Sequence, residues 1–195
     1  MLIPAIILAA GASRRLGRPK QLVRVGDETL LGRTVRVARE AGAEPVFVVL
    51  GAHSDEIRVG VNLDDVEVIV NADWEQGIAS SIQAGVRAAV LAMQETVFEA
   101  AMLLVCDQPR LTADHLRRLI DEAHMHEGIV ASSYAGVAGI PAVFSASEFP
   151  RLLALRGDVG ARSLLRGTEY GPGCALVAFE GGDVDVDTAA DLERI

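Results

Sequence analysis

The stretch LAAGASRRLGRPK, residues 8–20, decides how the chain folds. It begins at the end of a continuous apolar run, Ile3–Ala9, which is typical of a parallel strand buried on both faces. Small residues directly after such a strand let backbone N–H groups approach an anion closely, and the arginines and the lysine add positive charge. The stretch therefore predicts a strand that ends in a phosphate-binding loop, with an exposed loop carrying incidental basic residues as the alternative.

Two well-known phosphate loops do not match this stretch. A P-loop requires Gly-x-x-x-x-Gly-Lys-Ser/Thr, but Lys20 is displaced from Gly17 and is followed by Gln21. A dinucleotide fingerprint requires Gly-x-Gly-x-x-Gly, and Ser13 stands at its second glycine. Phosphate binding is still possible without these motifs, because Arg15 can bind phosphate oxygens with two donors and Lys20 can place a positive charge beside them.

Positive charge is concentrated near the start of an otherwise acidic chain. The net charge over 195 residues is −9, which makes the chain a poor non-specific binder of nucleic acid. Residues 1–26 nevertheless contain no acidic side chain and carry the basic side chains Arg14, Arg15, Arg18, Lys20 and Arg24. This distribution favours a small anionic ligand over nucleic acid, although a solvated basic loop has the same composition.

Two features predict a cytoplasmic protein without a membrane anchor. Cys106 and Cys174 lie in apolar runs without the spacing of a metal site, as buried free thiols in a reducing compartment do. The apolar start, Ile3–Ala10, lacks a basic flank and is too short to span a bilayer.

Predicted strands and helices alternate along the chain. Further strands are predicted at Pro45–Leu50, Val66–Val70, Ala100–Cys106, Ile129–Ser133, Ile140–Phe144 and Ala175–Phe179. Helices are predicted from an Asp27 cap to Gly42, from Gly77 to Met93, from a Thr112 cap to Ala123, and over Ala161–Leu165 and Thr188–Ile195. This alternation predicts a single α/β domain over residues 1–195, with a mostly parallel central sheet and helices on both faces.

The order of the elements also predicts where a ligand binds. In an open α/β sheet, ligands lie beyond the carboxyl ends of the strands, near a switch in strand order. The segments that follow the strands are residues 11–20, 51–53, 71–81 and 107–109. Ser80 and Ser81 fall at the start of a helix, where N–H donors suit an anion or a ribose, although serine is also ordinary at a helix start.

Carboxylates occur at two places that suit a divalent cation. Asp107 ends a predicted strand, and Mg²⁺ binds carboxylates while keeping waters and phosphate oxygens as its other ligands. The alternative for Asp107 is a turn-forming role before Pro109. Asp183, Asp185 and Asp187 alternate with valines, so an extended chain puts three carboxylates on one face, which is unfavourable without a cation. Asp187 could instead cap the last helix.

The stretch from Leu8 to Leu22 resembles the signature of a nucleotidyltransferase superfamily, the MobA-like NTP transferases. Its form with Ser13-Arg14-Arg15 and Arg18-Pro19-Lys20-Gln21-Leu22 is similar to that of the molybdenum cofactor cytidylyltransferase branch. It departs from the guanylyltransferase branch, which typically shows Ala-Gly-Gly, a glycine at the position of Ser13 and an Asp-Lys pair. The resemblance implies a three-layer, Rossmann-like nucleotidyltransferase fold.

Further segments carry the resemblance along nearly the whole chain. Gly77–Gly85 is similar to the branch's second nucleotide-contacting segment, and Val105–Pro109 to its metal-binding strand end. Gly139–Phe144 and Gly157–Arg162 resemble its acceptor-side segments. Asp185–Thr188 resembles its closing Asp-x-Asp-Thr-Pro element, without the final proline. The N-terminal half of the domain is thus expected to bind the nucleotide and the C-terminal half the acceptor.

The resemblance implies a role for individual residues in each segment. The implied nucleotide-binding residues are Leu8, Ala9, Ala10, Gly11, Ser13, Arg15, Lys20, Ser80 and Ser81. The implied acceptor-binding residues are Gly139, Pro141, Gly157, Asp158, Gly160 and Ala161. The implied catalytic residues are Arg15, Lys20 and Asp107, and the implied Mg²⁺ ligands are Asp107, Asp187 and Asp185.

The activity implied by the resemblance is transfer of CMP from CTP to the phosphate of molybdopterin or molybdenum cofactor, with release of pyrophosphate. The implied partners are CTP or another NTP, a molybdopterin-type acceptor and, transiently, a molybdenum hydroxylase. Neither nucleic acid nor a membrane is expected as a partner. Two rivals stay open: another NTP transferase, either a GTP-dependent cofactor guanylyltransferase or a sugar- or alditol-phosphate cytidylyltransferase, and a non-catalytic carrier of molybdenum cofactor.

Overall fold

The computed structural model describes residues 2–93, 99–165 and 174–194. The strands in these residues are β1 Ala5–Ala9, β2 Arg24–Val25, β3 Glu28–Thr29, β4 Val46–Leu50, β5 Glu67–Val70, β6 Ala100–Val105, β7 Ile129–Tyr134, β8 Val137–Ser145 and β9 Ala175–Ala178. The α-helices are α1 Leu30–Glu40, α2 Ser54–Gly60, α3 Ile78–Ala92, α4 Ala113–Met125, α5 Phe149–Ala154 and α6 Arg162–Leu165. Short 3₁₀ helices span Lys20–Leu22, Trp74–Gln76, Ala146–Glu148 and Ala189–Arg194.

The central sheet has seven strands in the order β5-β4-β1-β6-β8-β7-β9. Its first four strands are parallel, β8 lies antiparallel between β6 and β7, and β9 runs parallel to β7. All five residues of β1 and all five of β4 are buried, because helices cover both faces of the sheet. The predicted α/β class, with a mostly parallel sheet, is confirmed.

Alternate residues of each strand face opposite sides of the sheet, and this alternation divides the core in two. On one side, Ile7 of β1 packs in a cluster with Leu31 of α1 and Leu116 of α4. On the other side, its neighbour Ile6 packs in a cluster with Ile82 of α3. Each fully buried side chain of this size contributes about 2 kcal/mol through the hydrophobic effect. The sheet is thereby a rigid platform for the loops at its edge.

The strand order changes direction at β1. From β1 the chain continues to β4 and β5 on one side and then returns to β6 on the other side. The carboxyl ends of β1 and β6 therefore border a crevice, since connections leave these adjacent strands in opposite directions. The predicted phosphate loop follows β1 and Asp107 follows β6, so both lie at this switch point.

The start of α1 differs from the prediction. Thr29 caps this helix, with its Oγ1 accepting a hydrogen bond from the Gly32 N–H at 3.1 Å. Asp27, the predicted cap, lies instead in the turn between β2 and β3, after Gly26 with φ of 61°. Because Asp27 belongs to the hairpin of β2 and β3, the helix begins later than predicted, at Leu30. The predicted cap of α4 is confirmed, because Thr112 Oγ1 accepts from the His115 N–H at 3.2 Å.

Other elements differ in extent. The short helix α2 was not predicted, because its apolar residues Ile57 and Val59 are two positions apart, which gives no helical period. Strand β8 begins earlier than predicted, since a tight turn with positive φ at Ala135 and Gly136 pairs it with β7. The predicted closing helix is a 3₁₀ helix, and its last predicted residue, Ile195, lies outside the described residues. Among the helices of residues 2–93, 99–165 and 174–194, none is long and apolar enough to cross a membrane.

Candidate active site

Lys20 is the centre of an ion-pair network at the switch point. Its Nζ donates to Asp107 Oδ2 at 2.8 Å and to Asp187 Oδ1 at 2.6 Å. Asp187 also accepts from Arg15, whose Nη2 lies 2.8 Å from Oδ2. The Lys20 side chain is only 15% exposed, so water screens these contacts weakly. The structure thus brings together four of the predicted catalytic and metal-binding residues.

Backbone contacts hold the members of this network in place. The Lys20 N–H donates to Ser13 Oγ at 3.0 Å, and Ser13 itself has the left-handed φ of 51°. The Val186 N–H donates to the Asp107 carbonyl at 2.9 Å, so the segment before Asp187 is attached directly to the end of β6. The buried side chains of Val184 and Val186 turn the intervening aspartates outward, as the alternation in sequence predicted.

The protonation of the network follows from these contacts. Burial by itself would lower the pKa of Lys20, but the charges and hydrogen bonds of Asp107 and Asp187 outweigh it and raise that pKa. The hydrogen bond from Lys20, followed by the charges of Lys20 and Arg15, lowers the pKa of Asp187. At neutral pH, Lys20 and Asp187 are therefore both charged.

Asp185 has the opposite environment. Crowding by protein atoms, then the negative charges of Asp107 and Asp187, raises the pKa of Asp185 to about 6, even though its side chain keeps an exposed surface. Three carboxylates around one lysine and one exposed arginine leave the group with excess negative charge. This electrostatic environment suits an additional cation.

The donor set at this point fits a divalent metal held jointly with a substrate. Asp107 and Asp187 bring carboxylate oxygens within hydrogen-bond distance of the same Nζ atom, so both can reach one cation. Within the described residues, no three His, Cys, Asp or Glu side chains form a ready ligand set. Mg²⁺ is commonly held by one or two carboxylates together with waters and phosphate oxygens, so two protein ligands suffice.

A cleft of about 440 Å³ opens beside the network. Of the predicted nucleotide-binding residues, those that line it are Leu8, Ala9, Ala10, Gly11, Ser13, Lys20 and Ser81. The cleft is also lined by Asp107 and by residues without an earlier nucleotide assignment, namely Gln21, Trp74, Glu75, Ile78 and Asp158. Three of them, Trp74, Glu75 and Ile78, lie in the segment 71–81 that was predicted to border a ligand. Gln21 lies in the Leu8–Leu22 signature, and Asp158 was predicted on the acceptor side.

Ser80 does not line the cleft. Its Oγ lies 2.8 Å from the Gly77 carbonyl and 2.9 Å from the Asp73 carbonyl, and it accepts from Asn71 Nδ2. Asn71 also donates to the buried Ser81 Oγ at 3.0 Å. The two serines thus fasten the start of α3 to the preceding loop, and only Ser81 borders the ligand space.

The predicted acceptor-side residues fall in two separate places. Gly157 lies against the start of α3, where its carbonyl accepts from the Ala79 N–H at 3.1 Å, and its neighbour Asp158 lines the cleft. A side chain at Gly77 would collide with the Gly157 backbone, so this close approach requires glycine. Gly139 and Pro141 are buried within β8 and do not line the cleft.

The remaining two residues of that acceptor-side group follow Asp158. Gly160 lies near Ile78, and Ala161 is buried against the core. The segment 157–161 therefore borders the cleft through Asp158. Whether these residues contact an acceptor stays a prediction.

A buried histidine, His115, packs against β7 and β8. His115 Nε2 is 2.8 Å from Ser132 Oγ, and that hydroxyl donates its only hydrogen to the Pro141 carbonyl at 2.6 Å. Nε2 must therefore carry the ring proton, which leaves Nδ1 buried without a partner among the described residues. The ring also stacks on Phe179 at 4.3 Å between centroids. Burial first, and the charge of Arg118 second, lowers the pKa of His115 to about 4.

This histidine predicts a loss of stability in acid. The unfolded chain binds a proton at His115 below about pH 6.5, while the folded chain resists it until about pH 4, so the free energy of unfolding falls across that window by about 3 kcal/mol. His115→Gln is expected to make the pH dependence of unfolding shallower between pH 6.5 and 4. Urea unfolding at several pH values measures this, with exposed His124→Gln on the same helix as the control. Equal slopes for His115→Gln and the unsubstituted protein would contradict the interpretation.

Comparison with known proteins places this geometry in a family. Residues 5–173 match the model of the MobA-like NTP transferase domain. The chain belongs to the MobA-like NTP transferase family. The family resemblance expected from the sequence is therefore confirmed.

Curated relatives in this family carry different names. The purine catabolism protein PucB of Bacillus subtilis is 30% identical, over 97% of this chain and 94% of its own length. The nicotine blue oxidoreductase of Paenarthrobacter nicotinovorans is 31% identical, over 99% and 96%. The molybdenum cofactor cytidylyltransferase of Escherichia coli is 28% identical, over 97% and 93%. The alignments span nearly the full length of each relative, so they include the residues that line the cleft, from Leu8 to Asp158.

Solved structures share the fold over the whole chain. Rv0371c from Mycobacterium tuberculosis H37Rv superposes with a TM-score of 0.85 at 34% identity, covering 100% of this chain and 97% of that one. A structure of Rv0371c in complex with manganese superposes with a TM-score of 0.78 at 31% identity and the same coverage. A structural relative of this chain thus has a structure in complex with manganese.

Proposed function

We propose that this MobA-like protein transfers CMP from CTP to the phosphate of a molybdopterin-type acceptor and releases pyrophosphate. The observation that carries the proposal is the position of Lys20 Nζ, within 2.8 Å of both Asp107 and Asp187 at the edge of the cleft. Cationic and metal-binding groups meet there beside a loop of small residues. Phosphoryl transfer requires cationic side chains and metal ligands close together around the reacting phosphates.

The reaction is an exchange of one phosphoanhydride bond for another. An oxygen of the acceptor phosphate attacks the α-phosphorus of CTP, the bond from that phosphorus to the bridging oxygen breaks, and pyrophosphate leaves with the electron pair. The attacking phosphate is already ionised at neutral pH, so no general base is needed. Catalysis then depends on positioning and on stabilising charge in the transition state.

Each member of the network has a part in this scheme. Lys20 contacts the triphosphate with a desolvated point charge, and Arg15, at the exposed end of the network, neutralises the departing pyrophosphate. Asp107 and Asp187 would hold Mg²⁺, with Asp185 close enough to add negative charge. When bound there, the metal would supply Lewis-acid stabilisation of phosphate oxygens.

Two observations support the choice of CTP and of the acceptor. The loop residues Leu8–Lys20 follow the cytidylyltransferase form of the signature rather than the guanylyltransferase form. A relative aligned over 97% of the chain is named a molybdenum cofactor cytidylyltransferase. The oxidoreductase name of another relative has no counterpart in this loop, which lacks the Gly-x-Gly-x-x-Gly fingerprint of dinucleotide binding.

Pyrophosphate release in the presence of Mg²⁺ and molybdenum cofactor tests the proposal. CTP is expected to support release, with GTP and ATP slower by on the order of 10² or more, because base-edge hydrogen bonds discriminate strongly when left unpaired. Omitting the acceptor provides the control for simple hydrolysis. Release with GTP instead would move the protein to a guanylyltransferase activity. Nucleotide binding without release from any of the three would contradict the enzyme and favour a cofactor carrier.

A further inference from the structure

A buried glutamine follows each of the two central charged residues. Gln21 comes directly after Lys20 and is 1% exposed, and Gln108 comes directly after Asp107 and is 4% exposed. Each side chain donates two hydrogen bonds to backbone carbonyls, and its buried Oε1 has no hydrogen-bond partner among the residues that the structure describes. A buried unpaired acceptor costs stability, so two such atoms next to one site need an explanation.

Gln21 controls the orientation of the loop after β1. Its Nε2 donates to the Ala9 carbonyl at 2.6 Å and to the Gly11 carbonyl at 3.1 Å. The carbonyl between them, that of Ala10, accepts from the Ala52 N–H at 3.0 Å. Three consecutive carbonyls are therefore engaged by donors of the protein itself.

The N–H groups of the same loop differ from its carbonyls in their hydrogen bonding. In the part of the chain that the structure describes, no hydrogen bond uses the N–H of Gly11, Ala12 or Ser13. Consecutive N–H groups without competing carbonyls form a concave anion site. Since all three residues line the cleft, the double contact of Gln21 leaves donors rather than acceptors available to a phosphate group.

Gln108 makes the equivalent double contact on the other side of the cleft. Its Nε2 donates to the Ile140 carbonyl of β8 at 3.0 Å and to the Gly182 carbonyl at 3.1 Å. Gly182 lies in the turn that leads to Asp185 and Asp187. Gln108 therefore fixes the position of the second carboxylate segment relative to Asp107.

We propose that Gln21 and Gln108 are positioning residues with separate tasks. Gln21 orders the nucleotide loop, and Gln108 orders the segment that carries Asp187. Neither carboxamide needs to touch a substrate, because each acts through the backbone that it holds. The roles in binding and turnover rest on the proposed function, whereas the ordering of the two segments does not.

Gln21→Met and Gln108→Met test the proposal, because methionine keeps the volume and removes the donors. The control is Thr34→Val, which removes a buried hydroxyl that donates to the Leu30 carbonyl within α1. Circular dichroism and melting establish that each variant is folded. Should a methionine variant fail to fold, the shorter Gln21→Asn or Gln108→Asn keeps the carboxamide and breaks only its span between two carbonyls.

Hydrogen exchange in the protein without ligands gives the first readout. Gln21→Met is expected to speed about tenfold the exchange of the Lys20 and Ala52 amides, which donate to Ser13 and Ala10 of the loop. Gln108→Met is expected to do the same for the bonded amides of Val184 and Val186, and each variant should leave the other segment unchanged. Thr34→Val should change neither segment. Uniform changes in both segments, or none, would overturn the proposal whatever the protein binds.

CTP binding without an acceptor gives the second readout. The Kd for CTP with Mg²⁺ is expected to rise about tenfold in Gln21→Met and less than about twofold in Gln108→Met, whose kcat should fall instead. Equal losses of binding in both variants would contradict separate tasks. If the unsubstituted protein binds no CTP while the exchange pattern holds, the proposed function fails and the ordering roles stand.

Discussion

Lys20→Met is expected to lower the rate of pyrophosphate release by a factor on the order of 10²–10³. The lysine ammonium is the one group that contacts both Asp107 and Asp187 in this network, and it is shielded from solvent. Removing it deletes a preorganised positive charge where the triphosphate develops negative charge. It also leaves the neighbouring carboxylates to repel one another.

Steady-state measurement of pyrophosphate release with CTP and acceptor checks this expectation. Lys20→Arg separates charge from shape: it keeps the charge, but the planar guanidinium cannot replace a compact ammonium between two carboxylates, so only partial activity should return. Arg24→Met removes a positive charge from the same N-terminal segment at an exposed position whose guanidinium bonds to the Asp27 carbonyl. An active Lys20→Met protein, or an equal loss in Arg24→Met, would contradict the role of Lys20.

Asp107→Asn should reduce activity by a similar factor and should also raise the Mg²⁺ concentration needed for half-maximal rate. The substitution keeps the shape of the side chain but removes the charge that attracts both Lys20 and the metal. Two independent effects therefore follow from one carboxylate. Mg²⁺ titrations of Asp107→Asn and the unsubstituted protein measure both.

Chelation of the metal should abolish release in the unsubstituted protein, and added Mg²⁺ or Mn²⁺ should restore it. The matched control is Asp121→Asn, which removes an exposed carboxylate from α4. A rate and a Mg²⁺ requirement in Asp107→Asn equal to those of the control would exclude Asp107 as a metal ligand.

The local elements were predictable because their signals are local. The apolar run before Gly11 predicted β1, and Thr112 predicted the start of α4, since a strand period and a cap depend on adjacent residues. The Asp27 cap was wrong for a related reason: two neighbouring residues can both cap, and only the hairpin contact between β2 and β3 selects Thr29. Where a turn can include one of two candidate caps, the turn determines which residue begins the helix.

The candidate site was predictable in part. The fold brings Lys20 together with Asp107 and Asp187, which lie 87 and 167 residues away in sequence. The rule that ligands bind at the carboxyl ends of strands predicted that Lys20 and Asp107 lie at the site, but not how far apart they are. Asp158 was predicted on the acceptor side, but its position in the same cleft as the predicted nucleotide-binding residues was not predictable, because nothing near it in sequence shows that residues 157–158 pack on α3. The inward-turned hydroxyl of Ser80 likewise depends on Asn71, nine residues away.

The hydrogen bond from Ala79 to the Gly157 carbonyl joins the first turn of α3 to the segment that precedes Asp158. If an acceptor binds this segment, as the proposed function expects, any displacement of it would reach the start of α3, which borders the cleft. Thermodynamic linkage makes such an effect reciprocal: the factor by which an acceptor changes nucleotide affinity equals the factor by which the nucleotide changes acceptor affinity. On the proposed function, this contact therefore couples the affinities of the two substrates by one common factor.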